Sequence, residues 1–233
     1  MAIEKMKARD LLALVPKHSL LHACEPDQLD ELLERTQVEF AARNQVLMRQ
    51  GEEGETATII VTGNARVTMV TSNGREIVLD YVGPGAFVGE IAMLDGSERT
   101  ATVTMVEDGS VLRLTRSICA DFLTRYPAVA IGMLQEMARR IRQMNATVES
   151  DRAYAAGPRL ARYLQRLTDA EAAEQKLRID ISQSELGRFV GISRENINRQ
   201  LSAWADSGVI DLDHGRIRIL DAAALWDIAA IED

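Results

Sequence analysis

Two short groups of residues, Gly89-Glu90-Ile91 and Arg99-Thr100, are placed to hold an anion. Gly89 lets the backbone approach a ligand closely, and the N–H groups that open a short helix from Glu90 favour negative charge. Arg99 follows nine residues after Glu90, so its guanidinium can return to the same anion with fork geometry, and Thr100 adds a hydroxyl. The competing reading is a surface loop with a solvated arginine.

A second group, Ser182 to Leu201, has the pattern of a helix-turn-helix. Ser182 and Glu185 make a capping box, Ile181 and Leu186 stand at the spacing of a hydrophobic staple, and Gly191 can take the left-handed turn that ends the helix. Ser193 is an N-cap for the next helix, and Ile192 and Ile197 repeat the staple. At about 100° per residue, Ile197, Leu201 and Trp204 share one face of that helix, while Arg194, Glu195, Asn198, Arg199 and Ser202 occupy the other. Arginine forks pair with guanine O6 and N7, and a glutamate between them accepts from cytosine N4, so this face suits a major groove. An amphipathic helix pair inside an ordinary globular domain is the competing reading.

The surrounding chain must position these groups. Residues 1 to about 40 read as amphipathic helices, with Pro26 opening one that carries Leu29, Leu32 and Leu33 on one side. From Asn44 to about Thr115, short alternating runs are separated by turn signals at Gly51, Gly54, Gly63-Asn64, Asn73-Gly74 and Gly83-Pro84-Gly85. Their roughly ten-residue spacing predicts an antiparallel double-sheet jelly roll. From near Pro127 to about Ala155 the pattern is helical. Ile131, Leu134, Ala138, Ile141, Asn145 and Val148 recur at spacings of 3, 4, 3, 4 and 3, an a/d seam for a parallel pair of helices. Val209 to Leu220 reads as a hairpin turning at His214-Gly215, the wing of a winged helix, with Arg216 and Arg218 able to touch phosphates. The expected fold class is α+β, divided as a roll with N-terminal helices over 1–126, a dimerisation helix over 127–155 and a winged helix-turn-helix over 156–233.

At 233 residues and 46% hydrophobic content the chain can bury two cores. Its net charge of −8 argues against coating nucleic acid nonspecifically, because that affinity comes from phosphate neutralisation. Between Ser182 and Trp204, three arginines (Arg188, Arg194, Arg199) face two glutamates (Glu185, Glu195), so any DNA contact is local. Cys24 and Cys119 are far apart and give neither metal spacing nor a disulfide framework. No stretch approaches a membrane span, and the expected location is the cytoplasm.

Taken together, Gly89-Glu90-Ile91, Arg99-Thr100-Ala101, the long helix and a helix-turn-helix with Ser193-Arg194-Glu195 and Arg199 resemble the cyclic-AMP receptor (catabolite activator) proteins of bacteria, over nearly the whole chain. The resemblance implies that Glu90 bonds a ribose hydroxyl, that Arg99 and Thr100 hold a cyclic phosphate, and that Arg194, Glu195 and Arg199 read bases. The expected ligand set is Gly89, Glu90, Ile91, Arg99, Thr100 and Asn145, and the expected DNA-contacting set is Ser182, Arg188, Ser193, Arg194, Glu195, Asn198 and Arg199. It further implies a homodimer reading double-stranded DNA with palindromic TGTGA-like half-sites, and RNA polymerase as a partner. Where these proteins present consecutive hydroxyl residues to the base, this chain has Met144 and Asn145, and Asn196 stands where relatives often carry a smaller residue. Thr100 leaves cyclic AMP and cyclic GMP both open as effectors. A ligand-independent member, or a cyclic-nucleotide module regulating a kinase or channel, would share part of the pattern. An enzyme of cupin type would need histidine clusters, and His18, His22 and His214 are the only histidines. An iron–sulfur sensor would need about four cysteines. A haem-bound gas sensor would have only His22 or Cys24 to draw on. Neither catalysis nor a metal is expected.

Overall fold

The structure, a computed structural model, describes residues 6–17, 19–153, 156–168, 183–213 and 216–231. The chain forms two compact units, residues 1–140 and 141–233, divided within one long helix.

The first unit begins with helix α1 (Ala8–Leu14), a 3-10 turn (Leu20–Ala23) and α2 (Pro26–Glu34). Pro26 stands at the start of α2, as its fixed φ favours, and Glu25 and Gln28 form a capping box. Eight strands follow: β1 (Val38–Ala41), β2 (Val46–Met48), β3 (Thr56–Thr62), β4 (Ala65–Val70), β5 (Glu76–Val82), β6 (Phe87–Val88), β7 (Thr102–Met105) and β8 (Gly109–Thr115), with α3 (Glu90–Asp95) between β6 and β7. They make two antiparallel four-stranded sheets, ordered β1-β8-β3-β6 and β2-β7-β4-β5. This is the jelly-roll expectation, with one addition. The sequence places residues up to about 40 in helices, whereas Val38–Ala41 pairs with β8 as an edge strand. Four residues are too few to show a period, and Phe40 points outward, 70% exposed.

The first sheet is covered on both faces, which explains why β3 reads Thr-Ala-Thr-Ile-Ile-Val-Thr instead of alternating. Ile60, Val88 and Val111 meet Met48, Val103 and Met105 between the sheets. Ala57, Ile59, Val61, Leu112 and Leu114 pack outward against α1, α2 and the helix α4 (Arg116–Arg125). Helix α5 (Pro127–Ala153) joins this outer core through Val129 and Met133. Its seam residues Ile131, Leu134, Ile141 and Val148, together with Met144, stay between 50 and 62% exposed.

The second unit holds α6 (Ala156–Leu167), α7 (Gln183–Val190), α8 (Arg194–Asp206), the hairpin β9 (Ile210–Asp213) with β10 (Arg216–Ile219), and α9 (Ala222–Ala230). Leu160, Leu164, Leu186, Ile197, Leu201 and Trp204 are buried in it, and Tyr163 meets Phe189 edge to face with ring centroids 4.7 Å apart. The two helices of the helix-turn-helix and the two strands of the wing appear at the expected residues, while the expected turn at His214-Gly215 and the Ile181-Ser182 start lie outside the described residues. Helix α9 has no counterpart in the sequence reading. Asp221 caps it by accepting from the Ala224 amide, and Leu225 and Ala229 are buried.

Candidate functional site

In the first unit the site is built around Arg99, which is 6% exposed. Its Nη1 donates to the Gly89 carbonyl at 2.6 Å, and its Nη2 donates to the Thr56 carbonyl and, at 3.2 Å, to the Thr56 hydroxyl. No carboxylate among the described residues lies within ion-pairing distance of it. Burial lowers the guanidinium's pKa; the charges of Glu52 and Glu90 oppose this, and that of Arg113 adds to it. Backbone pairing fixes the residue's place, since the Arg99 N–H donates to the Glu52 carbonyl and the Gly51 N–H donates to the Arg99 carbonyl.

Gly89 bends the chain from β6 into α3 with φ near 79°, a left-handed conformation that glycine adopts without strain. A Cβ there would stand 2.6 Å from Arg99 Nη1 and 2.9 Å from the end of Met48, so a side chain would displace the Arg99 fork as well as strain the backbone. Gly54 serves close approach and not a left-handed turn, because a Cβ there would meet the Ala92 Cβ at 2.3 Å. Helix α3 is thereby seated directly on the turn before β3. Arg116 Nη2 ties the two together, donating to Gly54 O at 3.3 Å and Ala92 O at 3.4 Å.

Glu90 is 5% exposed, and its carboxylate accepts from Arg140 Nη1 at 2.6 Å. Arg140 Nη2 donates to Phe87 O at 3.1 Å. Sequence reasoning missed Arg140, since its place on α5, 50 residues beyond Glu90, carries no local signal. Thr56 was missed too, since much of its part is played by a backbone carbonyl. Of the expected ligand residues, Gly89, Glu90 and Arg99 come together here. Ile91 and Thr100 turn exposed side chains outward, and Asn145 is exposed on the part of α5 that belongs to the second unit.

In the second unit, Gly191 takes the expected left-handed turn with φ near 73°, and the Ser193 side chain accepts from the Asn196 amide. Arg194, Glu195 and Arg199 are exposed on α8. Arg194 and Glu195 have no side-chain partner among the described residues, whereas Arg199 Nη2 donates to Asn196 Oδ1 at 2.9 Å. Asn198 is half-buried, and its Oδ1 has no partner among the described residues. Arg188 lies on α7, and Ser182 falls outside the described residues. In the wing, Arg218 pairs with Asp211 at 2.9 Å.

Residues 38–126 match the cyclic nucleotide-binding domain family and residues 158–228 the Crp-like helix-turn-helix domain family. The cyclic AMP receptor protein of Thermus thermophilus is 30% identical over 210 residues, covering 90% of this chain and 96% of that protein. The chain belongs to the cyclic AMP receptor protein family. As a member it is a cyclic-nucleotide-binding transcription regulator, and the site around Arg99 lies in its nucleotide-binding domain. The CRP-like cAMP-activated global transcriptional regulator of Mycobacterium tuberculosis is 26% identical over 217 residues, covering 91% of this chain and 96% of the relative. Among solved structures, the Thermus thermophilus catabolite activator protein matches with TM-score 0.52 at 29% identity, covering 90% of this chain and 97% of that one. FixK2 from Bradyrhizobium japonicum shares the fold, with TM-score 0.74 at 20% identity over 84% of this chain and 98% of that one. Among the described residues no helix is long and apolar enough to cross a membrane, and no group of three potential metal ligands gathers.

Proposed function

We propose that this family member is a cytoplasmic homodimer that binds cyclic AMP through the site around Arg99 and then binds inverted repeats with TGTGA-like half-sites, acting on transcription through RNA polymerase. The observation that carries the reading is the burial of Arg99 without a carboxylate partner among the described residues. A buried cation held only by neutral oxygens, two carbonyls and a hydroxyl, loses hydration without gaining full Coulombic compensation, and a cyclic phosphate supplies the missing charge with fork geometry. Glu90, held by Arg140 through one carboxylate oxygen, keeps its other oxygen to accept a ribose hydroxyl.

The exposed apolar row on α5 supports the dimer, because a stripe of this length is covered when a second copy packs along it. A two-fold protein imposes two-fold symmetry on its DNA site. Ser193, Arg194, Glu195, Asn198 and Arg199 read bases or adjoining phosphates, with Ser182 and Arg188 meeting the backbone. Asn145, at an a position of the seam, can exchange donor and acceptor with a purine edge, which Met144 cannot. A calorimetric titration with cyclic AMP and with cyclic GMP, followed by selection from random DNA, tests the reading. Tighter binding of cyclic AMP and recovery of an inverted repeat are expected. Absence of nucleotide binding, or a selection without two-fold symmetry, would overturn it.

A further inference from the structure

We infer that Asn196 is a specificity-determining residue of the DNA-reading helix: it fixes the fork of Arg199 and selects the neighbouring base pair through a free amide donor. The inference rests on the reading of α8 as the DNA-contacting element. Ser193 caps the helix through the Asn196 amide, so the backbone of Asn196 is fixed in the first turn. Three residues on, Arg199 lies on the same side of the helix, and helical side chains lean toward the N-terminus, which brings its guanidinium back over Asn196. The contact is the 2.9 Å bond from Arg199 Nη2 to Asn196 Oδ1.

Because arginine has only donors, this bond fixes which way the asparagine amide points: Oδ1 accepts and Nδ2 faces away. Arg199 therefore meets the DNA already oriented, with Nη1, Nε and the second Nη2 hydrogen available to guanine O6 and N7. Arg194 and Glu195, by contrast, enter without a side-chain partner among the described residues.

The pairing also changes what Asn196 can read. A free asparagine recognises adenine by accepting from N6 and donating to N7 together. With Oδ1 turned toward Arg199, the Nδ2 donors are what Asn196 points away from that pair, so the composite surface of Arg199 and Asn196 asks for acceptors on two consecutive base pairs. Guanine O6 and N7 or thymine O4 meet that demand. Cytosine presents only the N4 donor in the major groove, and adenine places a donor beside its single acceptor.

The test uses the full-length protein with cyclic AMP and duplexes carrying every base pair at each half-site position. Wild-type protein should require guanine opposite Arg199 and prefer guanine or thymine over adenine or cytosine next to it, by about tenfold. Asn196→Ala should flatten the neighbouring position to within about twofold and weaken the guanine requirement about three- to tenfold. Asn196→Asp keeps an acceptor for Arg199 and removes the donor, so it should retain the guanine requirement while losing the neighbouring preference. A merely structural role would instead lower affinity for all sequences alike together with the melting temperature. An unchanged base profile in Asn196→Ala, or a wild-type preference for adenine at the neighbouring position, overturns the inference. Wild-type protein with no sequence preference overturns the DNA-reading assignment beneath it.

Discussion

The proposed nucleotide site and the proposed DNA-reading helix both carry arginines and a glutamate, yet they treat those charges in opposite ways. Arg99 and Glu90 are about 95% buried and held by bonds within the protein, Arg99 to two carbonyls and a hydroxyl and Glu90 to Arg140. Arg194, Glu195 and Arg199 are exposed, and only Arg199 has a side-chain partner among the described residues. A buried charge is screened little by solvent and costs much when left unmatched, so a single site can carry most of a ligand's affinity. Exposed charges remain hydrated until DNA arrives. Each then contributes modestly, and discrimination accumulates over several positions.

The contrast predicts unequal penalties. Arg99→Leu should weaken cyclic-nucleotide affinity at least about 30-fold, since breaking a buried charge-assisted pair costs about 2 to 5 kcal/mol. Calorimetry on the folded variant measures this, and unchanged affinity would remove the buried cation from the site. Glu195→Ala should cost about 1 to 3 kcal/mol at its cognate base pair and relax discrimination there, while Arg188→Ala should weaken all sequences about equally. Affinities for single-substitution duplexes separate the two effects. Asn145→Leu should strengthen the dimer, weaken nucleotide affinity modestly and largely erase the effect of nucleotide on DNA affinity. If the variant keeps the wild-type ratio of DNA affinities, Asn145 serves only the seam.

A smaller effect separates the two units by pH. Cys24 and Cys119, the only cysteines, both lie in the first unit, and burial pushes each thiol from 9.0 up to about 11. The unfolded chain then releases these protons at lower pH than the folded one. Their contribution to stability is fully present below pH 9.0 and is lost as pH rises toward about 11. Alkaline melting should destabilise the first unit and spare the second, and at pH 8 both thiols should resist alkylation until the protein unfolds.

Much of the fold was legible because its signals are local. Turn glycines marked the strands, Ser193 marked the start of α8, and the spacing of Ile131 to Val148 marked α5. The anion site was legible as far as one stretch of chain could show it, through Gly89, Glu90 and Arg99. The partners that hold those groups were not. Thr56 contributes a carbonyl from β3, and Arg140 arrives from α5 across 50 residues. The pattern also gave no warning that Ile91 and Thr100 would be exposed, because Ile91 sits in a six-residue helix with no period long enough to assign its faces and Thr100 in the bend before β7. Helix α9 was missed although Asp221 before an apolar run is a capping signal.

On the proposed reading, occupancy of the buried site sets the DNA affinity of the exposed one. The most direct test is the affinity of the wild-type protein for an inverted-repeat duplex with and without saturating cyclic AMP, at one fixed salt concentration. A coupling free energy of about 1 to 3 kcal/mol predicts DNA binding roughly 5- to 150-fold tighter with nucleotide. Equal affinities in the two conditions would show that the two sites act independently.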